Sequence, residues 1–251
     1  MRPIAAAAWT GVLLTSALVA PPRLPAQGQA SLPSGVRLSP AADTMDTWDR
    51  QGDQPLRRGT SFFIQTLSRL PSGDWQIRRE WRDSLGAVTS VGTTVLAART
   101  LATRFDGVRA PEDSAAVVFA GGRATGWVVP QGETPRLYDG VADPPAYPGG
   151  AVEVAFASQR PRIGSRLLEP VYSLYSTGPL VSRLDTLTAT ATASLQAGTH
   201  RIACIVIART GGPSIWVDAA TGRIVARRGE AMGGRIVWWH VRRGIEPPAG
   251  P

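Results

Sequence analysis

The chain has 251 residues with 43% hydrophobic side chains, 21 Pro and 27 Gly, which suits one domain or two small ones and excludes predominant disorder. The formal charge is +8, but all 27 basic residues are Arg and neither Lys nor Asn occurs, so the basic balance reflects GC-rich coding and is weak support for a nucleic-acid partner. One cysteine, Cys204, excludes an internal disulfide.

Residues 1–30 carry Arg2, an apolar run over 4–20 and small residues up to Ala30, the layout of a secretory signal peptide. Its removal would leave a periplasmic or secreted protein. The run is shorter than the ~20 apolar residues that a spanning helix needs, and no later segment offers a span. Residues 31–57 mix Pro, Gly, Asp and Arg without periodicity and read as an irregular segment leading into the domain. Residues 58–245 read as one β-rich domain, followed by a tail over 246–251.

Within that domain, strands are predicted at 60–67 and 75–82, joined by the turn Pro71-Ser72-Gly73-Asp74. In the second strand Trp75, Ile77 and Trp81 share one face, interrupted by Arg79, while Gln76, Arg78, Glu80 and Arg82 share the other. Further strands are predicted at 87–96, 100–105, 115–120 and 124–129, with Gly121-Gly122 placed for a hairpin. Residues 147–159 read as a helix, because Pro148 suits a first turn and Val152, Phe156 and Gln159 fall at helical spacing, although Val152, Val154 and Phe156 alternate equally well as a strand. A short helical turn is predicted over 164–172.

Over 185–196, Leu187, Ala189, Ala191, Ala193 and Leu195 alternate strictly with Thr and Ser, which no helix explains. Such a long strand belongs to a strongly twisted, curled sheet. Its small-residue face either lets a neighbouring element approach closely or leaves room for a guest. Strands at 200–209, 213–218, 223–227 and 235–241 complete the pattern. The expected fold is mainly β: a strongly curved antiparallel sheet or incomplete β-barrel with one or two short helices.

Familiar catalytic motifs are absent. The nearest strings to a nucleophile elbow, beginning at Gly59 and Gly212, lack the second glycine, and there is no Walker loop, Gly-x-Gly-x-x-Gly, His-Glu-x-x-His or Cys-x-x-Cys. No cofactor, metal or catalytic residue is therefore expected. His200 and Cys204 would lie ~13 Å apart along a strand, too far for one metal ion, and Cys204 reads as a small buried hydrophobe. Tryptophan is the remaining feature: Trp48, Trp75, Trp81, Trp127, Trp216, Trp238 and Trp239 either pack the core or line a concave apolar wall. Adjacent Trp238 and Trp239 must point to opposite faces.

In the C-terminal half, Arg162-Ile163-Gly164-Ser165-Arg166, the alternating strand, Gln196-Ala197-Gly198-Thr199 and Ile202-Ala203-Cys204-Ile205-Val206 follow one another. With the Trp-x-Asp-x-x-Thr-Gly string from Trp216 to Gly222, this succession resembles a bacterial envelope family catalogued as a domain of unknown function. A comparable hairpin occurs in lipoprotein-carrier proteins, which curl a sheet into an incomplete barrel closed by helices. The resemblance implies an envelope-associated curved sheet and carries over no functional residue.

The sequence thus points to an exported, non-enzymatic envelope protein that binds an apolar or lipid-like ligand in a curled sheet. Candidate ligand-facing residues are Trp75, Ile77, Trp81, Ala189, Ala191, Ala193, Trp216 and Trp238. The pairs Arg227-Arg228 and Arg242-Arg243 suit a peripheral contact with anionic lipid headgroups, and nucleic acid is not expected. The alternatives are a structural or protein-interaction module of the envelope, and a hydrolase with an unrecognised site.

Overall fold

The computed structural model describes residues 38–111, 113–141, 147–172 and 183–247; the predicted signal peptide and residues 248–251 of the tail lie outside them. Fifteen strands form one sheet. In chain order the first eight are β1 (Ala41–Gln51), β2 (Arg57–Arg69), β3 (Trp75–Arg82), β4 (Val88–Leu96), β5 (Thr103–Arg109), β6 (Ser114–Ala120), β7 (Arg123–Val129) and β8 (Arg136–Val141). The two-residue β9 (Tyr147–Pro148) leads into α1 (Gly149–Ser158). Then follow β10 (Arg166–Tyr172), β11 (Arg183–Ala197), β12 (His200–Arg209), β13 (Ser214–Asp218), β14 (Ile224–Ala231) and β15 (Ile236–Arg242).

From one edge, the sheet runs from β8 back to β1, crosses to β15, and continues down to β9. All pairings are antiparallel except the short β9–β10 contact. The architecture is the mainly β, curved and unclosed sheet that the alternating patterns predict, with one short helix inside it. Register shifts at Asp46/Trp48, Trp81/Arg82, Val95/Leu96, Ala189/Ala191 and Trp216/Val217 insert extra residues that add local twist and bend. The curl returns β9 to the neighbourhood of β5, and the β6–β8 end extends past that seam. The sheet's two edge strands, β8 and β9, do not pair with each other.

Three local expectations are corrected. The segment 31–57 is not wholly irregular: β1 lies at the centre of the sheet, and the domain begins before residue 58. Its periodicity is masked by acids that have partners elsewhere, since Asp43 pairs with Arg223 at 2.5 Å and Asp46 pairs with Arg58 at 2.6 Å and Arg243 at 2.9 Å. The helical turn predicted over 164–172 is strand β10, aligned on β11, where Pro170 would have interrupted a helix. The Ala-rich strand does not present one continuous face, because the bulge between Ala189 and Ala191 reverses the pleat: Ala189 is buried opposite Ile207 of the inner core, Ala191 is exposed, and Ala193 packs on the outer side. Strand β8 is an addition to the expected pattern, and its exposed Leu137 and Val141 give it no core-facing apolar periodicity.

Helix α1 agrees with the reading of 147–159 and fills the curl. Its Ala151, Val152, Val154, Ala155 and Phe156 meet Trp75, Ile77, Leu96, Leu167, Leu187, Ile207, Ile215 and Val217 of the surrounding strands in the main core. A ten-residue helix is marginal alone in water, so this burial is what maintains it. A second core lies on the convex face, where Leu195, Cys204, Val225, Ala226, Val237, Trp239, Val241 and Ile245 pack together.

The Trp216-to-Gly222 motif is accounted for within this frame. The Asp218 carboxylate accepts from the N–H groups of Ala220 and Thr221 at 2.8 and 3.3 Å, tightening the turn. Gly222, at φ +73°, seats the hairpin on the last turn of α1, where a Cβ would come within 3.0 Å of the Ala157 carbonyl oxygen. The Trp216 ring instead meets Trp239 on the convex side, at 4.8 Å between centroids.

Candidate functional site

Strand alternation and the bulges divide the predicted ligand-facing residues between the two faces. Trp75 and Ile77 face inward and are buried with α1 in the main core, and Ala189 is buried opposite Ile207 of that core. Trp81 and Trp238 also face inward and meet through His240, whose ring lies 5.3 Å from Trp81 and 4.6 Å from Trp238, with Phe63 at 5.1 Å. Trp238 lies over Gly229 on the neighbouring strand, where a Cβ would fall 2.1 Å from its ring. Ala193 and Trp216 belong to the convex core and Ala191 is exposed, so these three residues are separated from the inner wall. Burial first, then the Arg227 and Arg79 charges, lower the His240 pKa to about 3, leaving a neutral imidazole in an aromatic cluster.

Beside that cluster lies a buried charge network that the sequence reading did not assemble. Glu153, in the middle of α1, accepts from Arg209 Nη1 and Arg227 Nε at 2.8 Å each. Arg209 also pairs with Asp185 at 2.6 Å. Gln65 Oε1 accepts from Arg79 Nε at 2.9 Å and from Arg227 Nη2 at 3.2 Å. Burial disfavours the Glu153 carboxylate, but Arg227, Arg79 and Arg209 outweigh it and hold its pKa below the usual range. The network is not fully satisfied: Arg79 Nη2 and Arg227 Nη1 are buried without a hydrogen-bond partner. Glu169 Oε1 is also unpartnered, and burial raises that carboxyl to about 7.

At the seam, β5 faces β10 through side chains. Tyr172 Oη donates to Asp106 at 3.0 Å, and Thr94 Oγ1 donates to the other Asp106 oxygen at 2.8 Å. Burial raises Asp106 to about 6 despite these hydrogen bonds, and raises the Tyr172 phenol above its ordinary range. Tyr172 further packs with Phe119 at 5.1 Å and with the small core of β6 and β7.

A cavity of about 260 Å³ opens at this seam, with Ile77, Val108 and Ala151 on its apolar side and Arg79, Asp106 and Tyr172 on its polar side. The start of α1 borders the same space through Pro148 and Gly150. Arg79 presses against Gly150 so closely that a Cβ there would lie 2.3 Å from Nη2 and 2.4 Å from Nη1. Glycine at 150 is thus what lets the guanidinium reach the helix.

Other features are less suited to a site. A cavity of about 340 Å³ at the far end of α1 is bordered by the Asp43–Arg223 ion pair, and the remaining charged side chain on it, Arg160, is exposed. Cys204 is buried and its thiol is pushed up to about 11, first by burial and then by Asp218, which makes it a poor nucleophile. Among the described residues, no group of three or more His, Cys, Asp or Glu side chains is placed to hold a metal ion. No helix among them is long and apolar enough to cross a membrane.

Signals for the missed residues were present but ambiguous. Arg79 interrupts an otherwise apolar strand face, and Glu153 lies inside the apolar run Ala151-Val152-Glu153-Val154-Ala155. Asp106 carries no such mark, because its partners lie 12 and 66 positions away.

No protein-family model matches the chain, and no curated protein matches it in sequence. Among solved structures, its fold is similar to a β-barrel-like protein of the domain of unknown function DUF1849 from Brucella abortus, with a TM-score of 0.51 and 7% identity. The match covers 84% of this chain and 98% of that one. The likeness is one of fold: a barrel-like curved sheet.

Proposed function

We propose that this is an exported, non-enzymatic protein of the bacterial envelope that binds an apolar, lipid-like ligand on the inner face of its curled sheet. The observation that carries this reading is the seam cavity, which joins an apolar wall at Ile77, Val108 and Ala151 to polar groups at Arg79, Asp106 and Tyr172. Amphipathic ligands favour such a lining, because the apolar part gains burial while a few polar groups set orientation. α1 already fills the middle of the curl, so the ligand's place is beside the helix at the unclosed edge. The neutral His240 and the Phe63, Trp81 and Trp238 rings extend the apolar character of the same inner face.

Native mass spectrometry of protein purified gently from its own envelope, followed by denaturing extraction, tests this reading. It predicts a stoichiometric apolar adduct. A bare mass from repeated preparations would reject it.

One observation favours a protein-interaction module as the second reading. The β8 edge and its neighbours present Val118, Trp127, Leu137 and Val141 on one exposed face, with Leu137 90% exposed. Apolar side chains at an unpaired edge suit strand addition by a partner. This reading predicts a stable complex in envelope fractions, detectable by crosslinking, and no bound small molecule.

A further inference from the structure

The geometry points to an anion-binding site at the seam, where the cavity takes the carboxylate end of a ligand beside Arg79 and the N-terminus of α1. The inference rests on the ligand-binding reading and deepens it by naming the ligand's charged end.

Three independent features converge there. First, Arg79 brings a positive charge that forms no ion pair among the described residues: its Nε goes to the neutral Gln65, and its Nη2 is buried without a partner. Glu153 is engaged by Arg209 and Arg227, and Asp106 receives Thr94 and Tyr172 instead. A buried donor on a charged group is costly when unmet, and a carboxylate can accept from such a guanidinium with good geometry.

Second, Arg79 meets the wrong end of a helix for a cation. The N-terminus of α1 carries partial positive charge and N–H groups that have no partners within the helix. It has no side-chain cap from Pro148 and no acid in its first turn. Two positive ends thus face one cavity, an arrangement that an anion would relieve.

Third, the space is adequate and built for close approach. The cavity of about 260 Å³ is bordered by Arg79, Gly150 and Asp106, and only glycine at 150 leaves room for the guanidinium. A singly charged carboxylate suits the site better than a phosphate dianion, because the Asp106 carboxyl on the same wall repels a second negative charge but can share a proton with one carboxylate. Ile77, Val108 and Ala151 supply the adjoining apolar wall for the rest of the ligand.

The test is calorimetric titration of the purified protein with dodecanoate, with 1-dodecanol as its uncharged match and acetate as the small anion. The same titrations are repeated on R79Q and on Gly150→Ala. The expected result is dodecanoate binding tighter than dodecanol by about tenfold or more, with that preference lost in R79Q. Acetate binding as tightly as dodecanoate, and again depending on Arg79, would keep the anion site but assign it to free small anions, which removes the lipid-like reading. Equal binding of dodecanoate and dodecanol, unchanged in R79Q, overturns the anion site and leaves the apolar-ligand reading standing. Failure of both dodecanoate and acetate to bind also overturns the site. Gly150→Ala displaces the guanidinium without deleting its charge, so the same loss there, with near-ultraviolet circular dichroism intact, decides the matter if R79Q fails to fold.

Discussion

Tyr172 donates its phenolic hydrogen to Asp106 at 3.0 Å, joining β10 to β5 where the curled sheet leaves off without a backbone ladder. An antiparallel barrel ordinarily closes through main-chain pairing, which removes its edges. Here the Tyr172 hydroxyl, hydrogen-bonded to Asp106 and to Thr103 of β5, links the two sides of the seam, with Thr94 on the other carboxylate oxygen.

Tyr172→Phe should therefore loosen the seam selectively. The ring retains its packing against Phe119 and the β6–β7 core, so the loss is that of the phenol's buried hydrogen bonds to Asp106 and Thr103, about 1–3 kcal/mol. A fall in the urea midpoint of that size, with faster amide exchange in β5 and β10, is expected. An unchanged midpoint would show that the seam is held by packing alone.

Acid dependence should show opposed contributions, with Asp106 and the raised Glu169 acting against His240 and the lowered Glu153. Asp106 is raised from 3.8 to about 6, so the folded state holds its proton more tightly and the protein loses stability as pH rises from about 4 through 6. His240 is lowered from 6.5 to about 3, so the unfolded chain binds that proton first and stability is lost as pH falls from 6.5 toward 3. Each contribution has a slope of at most about 1.4 kcal/mol per pH unit. Asp106→Asn removes one compensating slope, and its stability should fall more steeply than wild type between pH 6 and pH 4.5 in urea titrations. Parallel curves for the two proteins would contradict the raised Asp106 value.

Glu153→Gln should be severely destabilising for so small a change. Arg227 is buried and Arg209 nearly so, and both lose the carboxylate that compensates their desolvation. Breaking a buried ion pair from one side costs about 3–5 kcal/mol. Chemical denaturation is the check. Because Arg209 retains Asp185 and Arg227 retains Gln65, a cost toward the lower end of that range is expected.

Two alanines that look equivalent in the alternating strand should respond differently to added volume. Ala189→Val overpacks the inner core against Leu187 and Ile207, at a cost of about 1–3 kcal/mol. Ala191→Val, beyond the bulge and exposed, should stay within about 0.5 kcal/mol of wild type. Matching costs at the two positions would mean that the strand keeps one continuous face and that the bulge is misplaced.

Much of this protein is determined locally. Period-two alternation, glycine-marked turns such as Gly121-Gly122 with φ of +56° and +74°, and the Pro148 helix start each depend on a few adjacent residues, so β2 to β7, α1 and β11 to β15 are legible in the sequence as a mainly β curl around a helix. The opposite orientations of Trp238 and Trp239 are legible for the same reason. Tertiary structure alone decided the rest. β1 is a strand because its acids find Arg58, Arg223 and Arg243, and the Ala face divides because a bulge shifts the register by one residue. The candidate site lies in the same category: Arg79, Asp106, Gly150 and Tyr172 come from β3, β5, α1 and β10, and only closure of the curl brings their charges and hydrogen bonds within range of one another. Pattern along a chain reports which face a side chain takes, whereas electrostatic partnership depends on distances that the folded sheet alone sets.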